Sequence, residues 1–182
     1  MDKKPKVTYS KIIADTNVFS IERIGLRFAN GTAVDYERLH SNMHGIVMII
    51  PLLDGETLLL VREYAAGVER YELGFPKGLM EEGESVKSAA DREIKEEIGY
   101  GSQRLTVIKS VSVIPGYANF ETQIVLAEDL YPAQLPGDEP EPVEVVPWRI
   151  DELASLITKE DFTEARSIAA VCLLEHYLDR LR

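Results

Sequence analysis

GLMEEGESVKSAADREIKEEIGY, from Gly78 to Tyr100, is the stretch whose reading decides the fold. Val86, Ala90, Ile94 and Ile98 recur every fourth residue, which gives a helix from about Ser85 to Ile98 one apolar edge. Ser85 suits the cap at its start and Gly99 the turn that ends it. Glu93, Glu96 and Glu97 stand at i, i+3 and i+4, so their carboxylates share one face. Like charges so placed destabilise a bare helix by about 0.2–0.5 kcal/mol per pair. A hard divalent cation reverses that sign, because carboxylate oxygens are the ligands that Mg²⁺ and Mn²⁺ prefer. The plainer alternative is a solvated face with ion pairs such as Arg92 to Glu96 or Lys87 to Asp91. The approach to the helix carries Gly74, Gly78 and Gly83 and is expected to be a loop from Tyr71 to Glu84, which lets main-chain carbonyls reach the helix's open end. Arg92 is placed to orient Glu84 or Glu96 with its rigid guanidinium fork.

On the N-terminal side, IVMIIPLL and TLLLVREY read as buried strands of a hairpin joined at Asp54-Gly55. Before them, VTYSKIIADT, VFSIERIGLRF and TAVDYERLH are extended segments, the last two separated by Asn30-Gly31, a strong hairpin signal. A three-stranded sheet of about 40 residues is too small to close its own core and should pack on the rest of the chain or on a second subunit. On the C-terminal side, strands are expected near Leu105 to Val113, Gln123 to Ala127 and Val143 to Trp148. A last helix runs from about Thr163 to Leu181, with Val171, Leu174, Leu178 and Leu181 as its apolar stripe. Strands mixed with a few helices indicate an α+β or α/β sandwich.

Composition bounds the function. The chain of 182 residues, 45% hydrophobic and 28% charged, describes an ordinary globular domain with room for a small accessory lobe. The longest apolar stretch, Ile46 to Leu53, falls far short of the roughly 20 residues that cross a bilayer, and no apolar region follows the opening MDKKPK, so a cytoplasmic location is expected. Cys172 is the single cysteine and is expected to be a small buried hydrophobe; with three histidines beside it there is no zinc spacing. The 20 Lys+Arg against 31 Asp+Glu give a net charge of -11, which argues against nucleic acid and anionic membranes as partners. An anionic substrate would then need a bound divalent cation to attract it. No P-loop and no nucleophile elbow occur, and Asn30-Gly31-Thr32 matches the glycosylation triplet only by chance.

Gly78, five residues, Glu84, seven residues, then Arg92-Glu93-Ile94-Lys95-Glu96-Glu97-Ile98-Gly99-Tyr100 fills all nine specified positions of a Nudix box. The chain therefore resembles the Nudix hydrolase family. YERLH, VREYAAGVERYELGFPKGL, DLYPAQLPGDEPEP and DFTEARSIAA extend the likeness, from about Ala33 to the C-terminus, to the subgroup similar to ADP-ribose pyrophosphatases. The resemblance implies an α/β/α sandwich with a mixed sheet over residues 45–182, and an N-terminal antiparallel lobe over residues 1–44 that serves a homodimer and the adenine. It implies hydrolysis of ADP-ribose, NADH and diadenosine polyphosphates at a phosphoanhydride, with release of AMP. Glu93 and Glu97 would be the main metal ligands, with Glu96 completing the cluster and the main-chain carbonyl of Lys77 added. The ion implied is Mg²⁺, with Mn²⁺ as a substitute. Glu141, in the acidic PGDEPEP loop, is the candidate general base and Glu139 its neighbouring substitute, with a box glutamate such as Glu96 as the other catalytic candidate, against the reading of a merely solvated loop.

Physical chemistry supports such a division of labour. A pyrophosphate repels hydroxide, so cations must neutralise its oxygens while a carboxylate removes the attacking water's proton. Arg62 and Arg70 could hold phosphates bidentately, or serve ordinary ion pairs. Glu72 stands behind them, facing the metal or a neighbouring side chain. Phe19, Tyr36 and Tyr117 are candidates for stacking on adenine, or for core and interface. Two other readings stay open: a Nudix-fold sensor that binds nucleotide without turnover, and a Nudix enzyme of another specificity, since specificity lives outside the box.

Overall fold

The computed structural model describes residues 4–40, 45–137 and 140–180. The chain divides into two units, one of Met1–Met43 with Ser112–Glu121, the other of His44–Val111 with Thr122–Arg182. The first is a three-stranded antiparallel sheet, β1 (Lys6–Asp15), β2 (Ser20–Arg27) and β3 (Ala33–His40), in that order. Gly31, at φ 86°, makes the turn that Asn30-Gly31 predicts between β2 and β3. Within this unit the Leu39 N–H donates to the Tyr117 carbonyl at 2.7 Å, which fastens the 112–121 segment to β3. Glu22 is buried in the sheet and accepts from the Ser10 hydroxyl and from Arg38 Nε. β1 is exposed along its whole length, and Val18, Phe19, Tyr36 and Tyr117 are exposed as well.

The second unit has two sheets between helices. β4 (Ile46–Pro51) lies between β7 (Lys77–Leu79) and β9 (Glu121–Pro132), antiparallel to the first and parallel to the second, with β8 (Tyr100–Ser112) beyond β9. β5 (Thr57–Ala65) lies between β10 (Glu144–Arg149) and β6 (Arg70–Gly74), antiparallel to both. The period of two in side-chain direction explains the apolar runs. Val47 and Ile49 of β4, Leu59 and Val61 of β5, and Val125 and Ala127 of β9 pack with Ala90 and Ile94 of α1 (Val86–Glu97) and with Ile98 just after it. Their neighbours Met48, Ile50, Leu58, Leu60, Ile124 and Leu126 pack instead with α2 (Leu153–Ile157) and α3 (Ala165–Asp179). Each strand thus serves two cores, and the layers are α/β/α.

Four local expectations need correction. IVMIIPLL and TLLLVREY do not pair as an extended hairpin: Asp54 caps the turn by accepting from the Thr57 N–H at 2.7 Å, and a Leu52–Leu58 bridge and the Leu53 N–H to Thr57 carbonyl bond at 2.8 Å join the two at the turn, before each enters its own sheet. Strands apolar on both faces need partners on both edges, which a lone hairpin does not supply. The stretch from Tyr71 to Glu84 is not a plain loop, since it completes β6 and contains β7. α2 was not foreseen, its five residues being too few for a periodic signal. Cys172 is exposed, because the buried stripe of α3 runs through Ser167, Ala170, Val171 and Leu174 and turns the next position outward. Leu181 lies outside the described residues. Among the described residues no helix is long and apolar enough to cross a membrane.

Candidate active site

α1 begins as its sequence predicts. The Ser85 side chain accepts from the Ser88 N–H at 3.1 Å, and Gly99, at φ 74°, follows the last turn. The loop before it is fastened by Arg92, whose Nη2 donates to the Leu79 carbonyl at 2.8 Å and to Glu84 at 3.0 Å. Its Nη1 reaches Glu93 at 2.8 Å and Glu96 at 2.9 Å. The hydrogen bond to Glu84 is the main cause that holds Arg92 even further above its ordinary value, and the same bond holds Glu84 below the usual carboxylate range. One guanidinium therefore ties loop, helix and two candidate metal ligands together, the orienting role expected of a rigid fork.

Glu97 has a different environment. It lies toward β7, where the Lys77 N–H donates to its Oε1 at 3.3 Å, while Oε2 is sealed from solvent without a hydrogen-bond partner. Burial pushes its carboxyl up to about 8, against the pull of Lys77. The Lys77 ammonium is itself paired with Glu63. Beside this point a Cβ on Gly78 would fall 2.1 Å from the Glu93 carboxylate, so a larger residue there would push that carboxylate out of its present place.

Among the described residues no three acidic or imidazole side chains are already gathered round one point. Glu93 and Glu96 share Arg92, while Glu97 keeps one oxygen without a hydrogen-bond partner. The residues nonetheless fit a hard cation. A buried carboxylate with a stranded oxygen calls for positive charge, and the available donors are all oxygen.

Glu141 lines a cleft of about 440 Å³ together with Glu96, Glu97, Gln134 and Gly137. Its Oε1 accepts from the Tyr71 hydroxyl at 2.6 Å, a partner that sequence reading missed. The signal was available only through strand register, because Tyr71 reaches that loop by standing opposite Tyr64 in the β5–β6 ladder. Glu139 lies outside the described residues.

Arg62 donates to Glu144 at 3.0 Å and pairs with Asp161, and the Asp161 bond is the main cause that raises it above its ordinary value. Arg70 donates to Glu72 at 2.5 Å. Burial pushes Glu72 up, but the hydrogen bonds from Thr163 and Arg70 outweigh it and leave the carboxyl below its usual range. A cavity of about 490 Å³ adjoins Lys77, with Glu63 and Glu72 on its wall and Val61, Leu73 and Phe75 as apolar lining.

A model of the NUDIX domain matches residues 43–171, and one of the NudE-type Nudix hydrolase N-terminal domain matches residues 5–38. The chain is 44% identical over 176 residues to the ADP compounds hydrolase NudE of Escherichia coli, covering 97% of this chain and 94% of that protein. It is 28% identical to the ADP-ribose pyrophosphatase of Bacillus subtilis, covering 91% and 92% of the two chains. A crystal structure of an ADP compounds hydrolase superposes with a TM-score of 0.91 at 43% identity, over 98% of this chain and 96% of that one.

Proposed function

The chain belongs to the Nudix hydrolase family, and from that premise we propose that it cleaves the phosphoanhydride of ADP-linked compounds, ADP-ribose, NADH and diadenosine polyphosphates among them, to release AMP. The observation that carries the reading is Glu97: a carboxylate with one buried, unsatisfied oxygen, on the same helical turn as Glu93 and Glu96. These three, with the main chain of Lys77, would hold Mg²⁺, or Mn²⁺ in its place. Such an ion supplies, when bound, the positive charge that a diphosphate demands and a chain of net charge -11 lacks.

The chain's own residues do the rest. Arg92 holds the loop and two of the ligands in register. Glu141 takes a proton from the water whose oxygen attacks phosphorus as the bridging anhydride oxygen leaves, with Glu139 as the substitute base. Arg62 and Arg70 reach substrate phosphates by exchanging a carboxylate partner for them, and Glu72 holds Arg70 in reserve. The exposed β1, with Phe19, Tyr36 and Tyr117, supports a homodimer in which these aromatics meet adenine. A cytoplasmic location accords with the single cysteine.

Incubation with ADP-ribose and Mg²⁺, followed by chromatography of the products, tests the reading. AMP and ribose 5-phosphate in equal amounts, abolished by excess EDTA, are expected. Tight binding of ADP-ribose without AMP would make the protein a sensor, and turnover in excess chelator would remove the metal from the account. Comparing kcat/KM for ADP-ribose, NADH, diadenosine triphosphate and GDP-mannose fixes the preferred class.

A further inference from the structure

Glu141 is an exposed side chain on the 140–143 stretch, and an unrestrained carboxylate there would sweep many rotamers. It is restrained, because Tyr71 donates a hydrogen bond of 2.6 Å to Oε1. The donor is fixed in turn. Tyr71 stands directly opposite Tyr64 in the β5–β6 ladder, and the two rings meet edge to face with centroids 5.5 Å apart at 70°. An edge-to-face pair is a preferred arrangement worth about 0.5–1.5 kcal/mol, and it favours this ring orientation. The bond to Glu141 lifts the Tyr71 phenol above its ordinary value, so it is a donor throughout the neutral range. Glu141 meanwhile also lines the cleft that holds Glu96 and Glu97.

We propose that Tyr71 is the positioning residue for the general base: its hydroxyl engages Glu141 Oε1, fixes the carboxylate plane and leaves Oε2 as the acceptor for the proton of the attacking water. A carboxylate has two acceptor oxygens, and holding one aims the other. The inference rests on the reading of Glu141 as base. It adds a residue outside the Nudix box, delivered by strand register from a different sheet from β7.

The test is a double-mutant cycle on the full chain with ADP-ribose and Mg²⁺, comparing wild type, Tyr71→Phe, Glu141→Gln and the double variant. Tyr71→Phe keeps the ring and its contact with Tyr64, and an exposed hydrogen bond contributes little to folding, so an unchanged thermal midpoint is expected. Tyr71→Phe should lower kcat by roughly tenfold to a hundredfold, the scale of a misplaced catalytic group, with KM within about twofold. In the Glu141→Gln background it should lower kcat no further. An equal fold loss in both backgrounds, or a loss expressed in KM alone, overturns the proposal. A slow Glu141→Gln enzyme beside an unimpaired Tyr71→Phe enzyme refutes Tyr71 alone. A Glu141→Gln enzyme at the wild-type rate refutes the base assignment, and the role of Tyr71 with it.

Discussion

Glu97→Gln should make the protein more stable in the absence of divalent cations, and increasingly so as pH rises. The reason is the carboxyl's environment, where Oε2 is buried without a partner and burial lifts the group from 4.5 to about 8. The sign follows from linkage. A folded-state value above the unfolded one means that the native chain holds the proton more tightly. The associated stability is therefore complete below about pH 4.5 and is lost as pH rises through about 8. At 1.36 kcal/mol per tenfold in affinity, the interval from 4.5 to about 8 sets a ceiling of about 5 kcal/mol above pH 8. At pH 7 the corresponding ceiling is about 3 kcal/mol. Relaxation and water penetration lower both figures, and about 2 kcal/mol at pH 9 is expected.

Glutamine retains an oxygen to accept the Lys77 N–H while discarding the charge, so little else changes. Thermal unfolding in EDTA from pH 5 to pH 9 reads the effect directly. The two proteins should coincide at pH 5. By pH 9 the variant should melt higher by roughly 4–8 °C, at the 2–4 °C per kcal/mol typical of chains this size. Adding Mg²⁺ should raise the wild-type midpoint and leave the variant's nearly unmoved, since only a protein that binds the ion in its native state gains from it. Parallel curves in EDTA across that pH range would refute the claim that Glu97 is a buried carboxylate awaiting a cation, and with it the observation on which the functional reading stands.

Other expectations follow from neighbouring contacts. Gly78→Ala should lower kcat by an order of magnitude or more with a smaller effect on the thermal midpoint, because the new Cβ lands 2.1 Å from the Glu93 carboxylate and displaces it; a normally active variant would show that the carboxylate's place is immaterial. Arg92→Lys should lose roughly 2–4 kcal/mol in urea titration, since one ammonium cannot serve the Leu79 carbonyl, Glu84, Glu93 and Glu96 at once. Ser85→Ala should cost about 1 kcal/mol through the lost cap while kcat stays within about twofold, which separates helix stability from chemistry.

The Nudix box was legible because its constraints are local. Ser85, Gly99 and the apolar repeat Ala90, Ile94, Ile98 act within one helix, and the Arg92 clamp joins residues at most thirteen positions apart. The two-core sandwich was half legible. IVMII and TLLLV announce strands buried on both faces, but their partners β9 and β10 lie some eighty residues downstream, and no local signal chooses between pairing with each other and pairing with those. The same limit applies to the site. Tyr71 to Glu141 and Arg62 to Asp161 are contacts between residues separated by 70 and 99 positions, and they exist only once β5, β6 and β10 have assembled. The helix carries the carboxylates that a metal would need, whereas the hydrogen bond to Glu141 and the ion pairs of Arg62 exist through ladders that distant strands complete. Substitutions in β6 should therefore alter kcat through residues that touch no metal ligand, and substitutions in α1 should alter metal dependence first.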